Sequence, residues 1–294
     1  MRCLLIGASG QLGTALRAAF SKGYDLVCAV HQHRQPGDLH LDLGDENAVR
    51  ILLDEVKPGL ILIAGAFCAV DRCESERDLC ERVNVSGPRT VAGYARQARA
   101  RVVYYSTDHV FDGTCEESRE TDSINPLSNY AQSKARTEAV LREMVPDGHL
   151  ILRTSWVYGP DPQRRNFALR CLDQLSVGRP VTVPSDQWGS PTVTEDLAAA
   201  TRFLVKHGIT GLFHATGPDF IDRYSLALKL CVRFGLDRRL IVTRSTKDLG
   251  QAAMRPLRPR LDCGKLRAAG APRFRGIDEG LRVLWTAETS MLNR

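Results

Sequence analysis

Five short and almost uninterrupted apolar runs, at 3–7, 25–30, 60–66, 102–106 and 150–154, recur through the first half of the chain. Amphipathic stretches at 11–21, 46–56, 88–99 and 128–144 separate them. Runs of Val, Ile and Leu without polar alternation suit strands covered on both faces. Strands and helices in strict alternation imply parallel pairing through right-handed crossovers, so a doubly wound α/β sheet is expected over 1–155.

After Trp156 the rhythm changes. Gly159-Pro160, Gly178-Arg179-Pro180 and Gly189-Ser190-Pro191 punctuate the chain, and helices such as 224–234 are not framed by clear strands. A smaller C-terminal α+β lobe is expected from 156–191 and 216–294, with the segment near 192–215 returning to the first domain. Arg255 to Arg260, R-P-L-R-P-R, reads as a basic loop, because its prolines exclude a helix.

Among 294 residues, 40 Lys and Arg against 34 Asp and Glu leave a net charge of +6, with both signs spread along the chain. That balance suits small anionic ligands and lacks the clustered basic tract of a nucleic-acid binder. The longest apolar run, 60–70, is too short to cross a bilayer, and Met1-Arg2 leads straight into the first strand without a signal-peptide pattern. A cytoplasmic protein without membrane partners is expected. The nine cysteines form no C-x-x-C pair, so they are read as reduced, mostly buried small hydrophobes. Cys73 and Cys80, seven apart, could share a helix face, and core packing is favoured for them over metal binding.

Gly7-Ala8-Ser9-Gly10-Gln11-Leu12-Gly13 follows the first strand directly. Such a turn aims backbone N–H groups and a helix dipole at one point, and glycines let a pyrophosphate approach closely, the Rossmann-like arrangement for a dinucleotide. A tight turn with close helix packing would need the same glycines. The second strand is followed by His31-Gln32-His33-Arg34, and the first acid is Asp38. His33 and Arg34 could meet a ribose 2′-phosphate, which favours NADPH over NADH, or form a solvated basic loop.

Tyr130-Ala131-Gln132-Ser133-Lys134 places a phenol and an amine one helical turn apart. An ammonium beside a phenol favours the phenolate, which brings a proton donor toward working pH. Upstream, Ser106-Thr107-Asp108-His109 lies at the carboxyl end of a strand, where α/β sheets bind ligands. Thr107 and Asp108 could equally be capping groups there.

Together these motifs resemble the extended short-chain dehydrogenase/reductases, and within them the dTDP-4-dehydrorhamnose reductase family. The resemblance runs from G-A-S-G-Q-L-G at Gly7 through A-V-D-R-C-E at Ala69, N-V-S-G at Asn84, S-T-D-H-V-F-D-G at Ser106, Y-A-Q-S-K at Tyr130 and R-T-S-W-V-Y-G at Arg153. It ends with D-Q-W-G-S-P-T at Asp186 and R-P-R-L-D-C-G-K-L at Arg258. It implies an oxidoreductase in which Tyr130 protonates the C4 oxygen of a nucleotide-diphosphate 4-keto-6-deoxy sugar. Thr107 would hold the same oxygen, and Lys134 would lower the Tyr130 pKa and bind the nicotinamide ribose. It also implies NADPH (NADH being possible) held by Gly7, Gly10, Gln11, Leu12, Gly13, His33, Arg34, Asp42, Leu43, Ala64, Gly65, Ala66, Tyr130 and Lys134. Asp108, His109 and Trp156 would border the sugar, and Arg258, with Arg255 or Arg260, the diphosphate.

The chain departs from the family pattern at three places. His109 stands where Tyr is usual, and Ile63-Ala64-Gly65-Ala66-Phe67-Cys68 replaces an Asn-Ala-Ala run with an aromatic-Thr pair. Ala15 stands where some relatives carry a metal-holding carboxylate, so no metal is expected, and the chain could be a monomer or a homodimer. A non-catalytic alternative is an NADP-binding regulatory subunit like the beta subunit of methionine adenosyltransferase. A dehydratase or epimerase fits less well, because His109 stands where dehydratases place Glu.

Overall fold

The computed structural model describes residues 1–292. Six strands, β1 (Arg2–Ile6), β2 (Asp25–Val30), β3 (Leu39–His40), β4 (Leu60–Ile63), β5 (Arg101–Thr107) and β6 (His149–Thr154), join Gly211–His214 in one sheet. The order is 211–214, β6, β5, β4, β1, β2, β3, and every neighbouring pair is parallel. The chain winds outward in both directions from β1 and β4, so a crevice opens between their carboxyl ends.

Side-chain alternation along these strands feeds two cores. Leu5, Leu62, Val103 and Leu152 pack on one face against Leu16 and Phe20 of α1 (Gln11–Phe20) and Leu197 and Leu204 of the helix Thr194–Lys206. Leu4, Ile61, Tyr104 and Ile151 pack on the other. There they meet Val49 and Leu53 of α2 (Glu46–Val56) and the helices that follow β4 and β5. Because both faces are covered, the strands carry no polar alternation, and each fully buried Leu or Ile contributes about 1.5–3 kcal/mol relative to exposure.

Between β4 and β5 the chain makes α3 (Arg72–Ser75), α4 (Arg77–Glu81), a π-helical turn at Arg82–Ser86 and α5 (Gly87–Ala98). Cys73 and Cys80 therefore do not share one continuous helix face: the helix breaks at Glu76, although both thiols are buried. All nine cysteines are free, six of them buried. α6 (Asn129–Met144) starts where the Ser128 hydroxyl accepts the Ala131 N–H.

A third core unites the helices Phe167–Leu175, Arg223–Phe234 and Ile277–Leu292 through Leu169, Leu172, Leu226, Leu230, Leu281 and Leu284. The helix Arg223–Phe234 is framed by strands after all. Ile221–Asp222 pairs with Trp188–Gly189, and Ile241–Arg244 pairs with Val181–Pro184. Pairs of two to four residues leave too short a pattern to read in sequence.

Candidate active site

The glycine loop sits on the crevice. Gly7 has φ +84, and a Cβ there would lie 2.4 Å from the backbone nitrogen of Gly65, so the turns after β1 and β4 touch backbone to backbone. A Cβ at Gly13 would lie 2.1 Å from the Gly7 carbonyl oxygen, which fixes how closely α1 packs. Gly10 differs: a Cβ would meet nothing nearer than 3.4 Å. The fold needs the first and third glycines, while the second leaves space toward the outside.

Gly10 is also the N-cap of α1 and offers no side-chain acceptor to the first N–H groups, and the first turn carries no acid. The Gln11 side-chain nitrogen is buried without a protein partner. An anion would satisfy these donors. Ala64 and Gly65 donate their N–H groups to the Ile6 carbonyl and hold the second wall of the crevice, continued by Ala66. Leu43 is buried in the core under α2, and Asp42 accepts the Gly44 N–H, so both shape the loop after β3.

In the loop between β2 and β3, Asp38 is buried and its carboxylate is occupied by Arg17 at 2.7 Å and by the Gln35 N–H. It is therefore not a free acceptor for a ribose hydroxyl. Arg34 donates only to the Asp38 backbone carbonyl, at 2.8 and 3.2 Å, so among the described residues no carboxylate answers its charge. His33 is exposed and has φ +56. This basic edge, whose one carboxylate is already held by Arg17, fits a 2′-phosphate.

Thr107 ends β5. Its hydroxyl accepts the His109 N–H and donates to Asp108, so the capping role and a site position coexist. Asp108 is 2 % exposed, and its other oxygen accepts the Ser155 hydroxyl at 2.6 Å. The Ser155 oxygen in turn accepts the Ser190 N–H, a chain of contacts across three segments. The His109 ring stands edge-on to Tyr130 with centroids 6.3 Å apart. Burial lowers the His109 pKa, and its Nδ1 has no protein partner.

Lys134 is buried and donates to the Tyr105 carbonyl at 2.9 Å. Its ammonium lies 4.6 Å from the Tyr104 ring centroid and 6.0 Å from that of Tyr130. Burial opposes its charge, yet the facing Tyr104 and Glu138 raise its pKa, so it stays cationic. The expected lowering of the Tyr130 pKa is reversed in these surroundings. Burial first, then Cys68, Tyr104 and Asp108, push the phenol well above 10. The protein alone holds Tyr130 as a neutral acid, because the loss of solvent outweighs an amine turned toward another ring.

Sequence reasoning missed several positioning residues. Asn84, in the π-helical turn, exchanges hydrogen bonds with both the N–H and the carbonyl of Phe67 and reaches Ser133 on α6. The N-V-S-G motif was visible, but its partner lies 17 residues away. Arg153 forms a buried ion pair with Glu138, 2.7 Å apart, which ties the end of β6 to α6. Gln163 donates to the Ser9 carbonyl and joins the C-terminal lobe to the glycine loop.

Trp156 is half-buried and has φ +38, a strained backbone for a bulky residue. Arg255 is paired with Asp71 at 2.7 Å, so its charge is already answered. Arg260 meets Glu117 at 3.1 Å. Arg258 is exposed, stacks 4.2 Å over Trp188 and pairs with no carboxylate among the described residues. Within those residues no three His, Cys, Asp or Glu side chains are grouped to hold a metal, and no helix is long and apolar enough to cross a membrane.

A family model described as the RmlD substrate binding domain matches residues 1–288. The chain is 35% identical over 221 residues to the dTDP-4-dehydrorhamnose reductase of Salmonella typhimurium, covering 73% of this chain and 72% of that one. It is 33% identical over 227 residues to the dTDP-4-keto-6-deoxy-D-glucose reductase of Streptomyces niveus, covering 77% and 76%. Among solved structures it is similar to the dTDP-4-dehydrorhamnose reductase of Bacillus anthracis in complex with NADP. There the TM-score is 0.89 at 28% identity, covering 97% of this chain and 99% of that one.

Proposed function

Because the chain belongs to the dTDP-4-dehydrorhamnose reductase family, a family of NAD(P)-dependent oxidoreductases, we propose that it reduces the C4 ketone of a nucleotide-diphosphate 6-deoxy-4-keto sugar with NADPH. The favoured substrate is dTDP-4-dehydrorhamnose. The observation that carries this reading is the grouping of Tyr130, one helical turn from Lys134 with the ammonium 6.0 Å from its ring centroid, with His109, whose ring stands edge-on to Tyr130 and whose N–H donates to Thr107 at the end of β5.

NADPH would supply the hydride. Gly7, Gly10 and Gly13 with the start of α1 would hold its pyrophosphate, and Arg34 with His33 its 2′-phosphate. The NADP of the Bacillus anthracis relative supports this choice. Tyr130 gives its proton to the C4 oxygen as that oxygen gains charge. Thr107 donates a hydrogen bond to the same atom. Lys134 places a fixed cation beside the developing negative charge, in surroundings where such a charge counts for more than in water. Asp108, locked by Thr107 and Ser155, keeps the Thr107 hydroxyl in place. In this reading residues 1–155 with 192–215 hold the cofactor, while 156–191 with 216–294 enclose the sugar and Arg258 reaches the diphosphate.

Purified protein should oxidise NADPH, more readily than NADH, when given dTDP-4-dehydrorhamnose. Tyr130→Phe should lower kcat by about 10²–10⁴ with NADPH affinity retained. A loss confined to KM would remove the proton-donor role. NADP binding without turnover on any nucleotide keto sugar would point instead to a regulatory subunit.

A further inference from the structure

Arg223 opens the helix Arg223–Phe234, and its guanidinium carbon lies 3.5 Å from the ring centroid of Trp156 and 4.5 Å from that of Phe167. Among the described residues its side chain makes no hydrogen bond and no ion pair. The contrast with its neighbours is direct: Arg255 is answered by Asp71 and Arg153 by Glu138. Asp108 is close enough to stabilise the Arg223 charge, but both of its oxygens already accept hydroxyls, from Thr107 and Ser155. Burial lowers the Arg223 pKa to about 9, which leaves it a cation at pH 7. Arg223 is therefore a positive charge of the cleft that no carboxylate pairs directly among the described residues.

The indole under Arg223 is crowded. A Cβ on Gly189 would fall 2.4 to 2.7 Å from Cε2, Nε1 and Cδ2 of Trp156, so the Gly189 backbone lies against that ring. A guanidinium 3.5 Å from the ring centre and a backbone at this distance cannot share one face of the indole. Each covers its own face. A sugar entering beside Trp156 then meets the guanidinium rather than the aromatic surface. The fork of N–H donors on Arg223, which finds no acceptor among the described residues, matches two oxygens of one phosphate.

We propose that Arg223 is a specificity-determining residue that binds the sugar-side phosphate of the substrate, with Trp156 serving as the platform that orients it. This rests on the reading of the cleft as a site for a nucleotide-diphosphate sugar. A half-buried cation with no protein partner is left incompletely satisfied, and an oxyanion brought by the ligand answers it. The same charge makes a nucleoside monophosphate, which has no second phosphate to offer, a poor ligand.

The test is calorimetric titration of the full chain, saturated with NADP⁺, with dTDP and with dTMP, for the wild type, Arg223→Met and Arg223→Lys. Wild type should bind dTDP at least about tenfold more tightly than dTMP. Arg223→Met should erase that difference while leaving dTMP and NADPH affinity unchanged, and Arg223→Lys should restore part of it. In turnover the Met variant should raise KM and leave kcat within about threefold. Unaltered NADPH affinity shows that each variant is folded. The proposal is overturned if the wild type does not discriminate, if Arg223→Met keeps the difference, or if it weakens dTDP and dTMP equally. A wild type that reduces no keto sugar but binds dTDP through Arg223 would remove the reductase reading and leave the phosphate site standing. Turnover with a dTDP affinity indifferent to Arg223 would do the reverse.

Discussion

The two ends of the cleft are built by different means. At the glycine loop seven consecutive residues make the site, and two of its three glycines are demanded by the chain's own packing. At the sugar end, Thr107, Tyr130, Ser155, Ser190 and Arg223 come from five segments and are held by side-chain hydrogen bonds, one of them from the Ser190 backbone N–H, and by ring stacking. A local site tolerates change wherever the fold does not use the residue. A dispersed site depends on every contact that fixes the relative positions of its segments.

Glycine substitutions break this contrast most sharply. Gly7→Ala should abolish folded, soluble protein, because its Cβ would sit 2.4 Å from the Gly65 nitrogen at φ +84. Gly10→Ala should melt only a few degrees below wild type, since the poorer N-cap costs about 1 kcal/mol and the new Cβ meets no clash, yet lose about tenfold or more in NADPH affinity. Thermal melts and cofactor titration read both outcomes. An equally damaging Gly10→Ala would show that the whole loop is structural.

Behind the sugar end, Glu138→Gln should destabilise by about 3–5 kcal/mol, because it leaves the buried Arg153 charge unanswered. The pair ties α6, with Tyr130 and Lys134, to the end of β6, with Ser155 and Trp156. The folded remainder should therefore also lose kcat, whereas NADPH affinity, set at the other end, should hold. A loss of stability without any loss of kcat would assign the pair to the scaffold alone.

The smallest effect concerns His214, buried against Arg153. Burial, and next the Arg153 charge, lower its pKa to about 4. The folded state keeps this imidazole neutral, while the unfolded chain takes up a proton below about pH 6.5. Its contribution is thus fully present above pH 6.5 and is lost as pH falls toward 4, about 2 kcal/mol by pH 5. Denaturant melts from pH 7 to 5 should show that slope, and His214→Gln should flatten it. An unchanged slope would place the acid sensitivity in another group.

Legibility followed the same division. The strands β1, β2 and β5 and the helices α1, α2 and α6 were readable because continuous apolar runs and helical periods are local signals. The break at Glu76, the π-helical turn and the two-residue strands of the C-terminal lobe carry no such period. Arg223 shows the limit most clearly. In sequence it is one more cation at the start of a helix, and only the fold places it on Trp156, 67 positions earlier, with no carboxylate paired to it among the described residues.

What the sequence alone determined was the α/β architecture and the chemical identities of the glycine loop, the tyrosine and the lysine. These depend on backbone conformation and on spacing within one turn. What only the tertiary structure decided was the electrostatic state of those groups: a phenol held neutral, an Asp38 already spent on Arg17, and a guanidinium left unanswered. Charge and proton affinity are set by burial and by partners distant along the chain, and neither is written in local sequence.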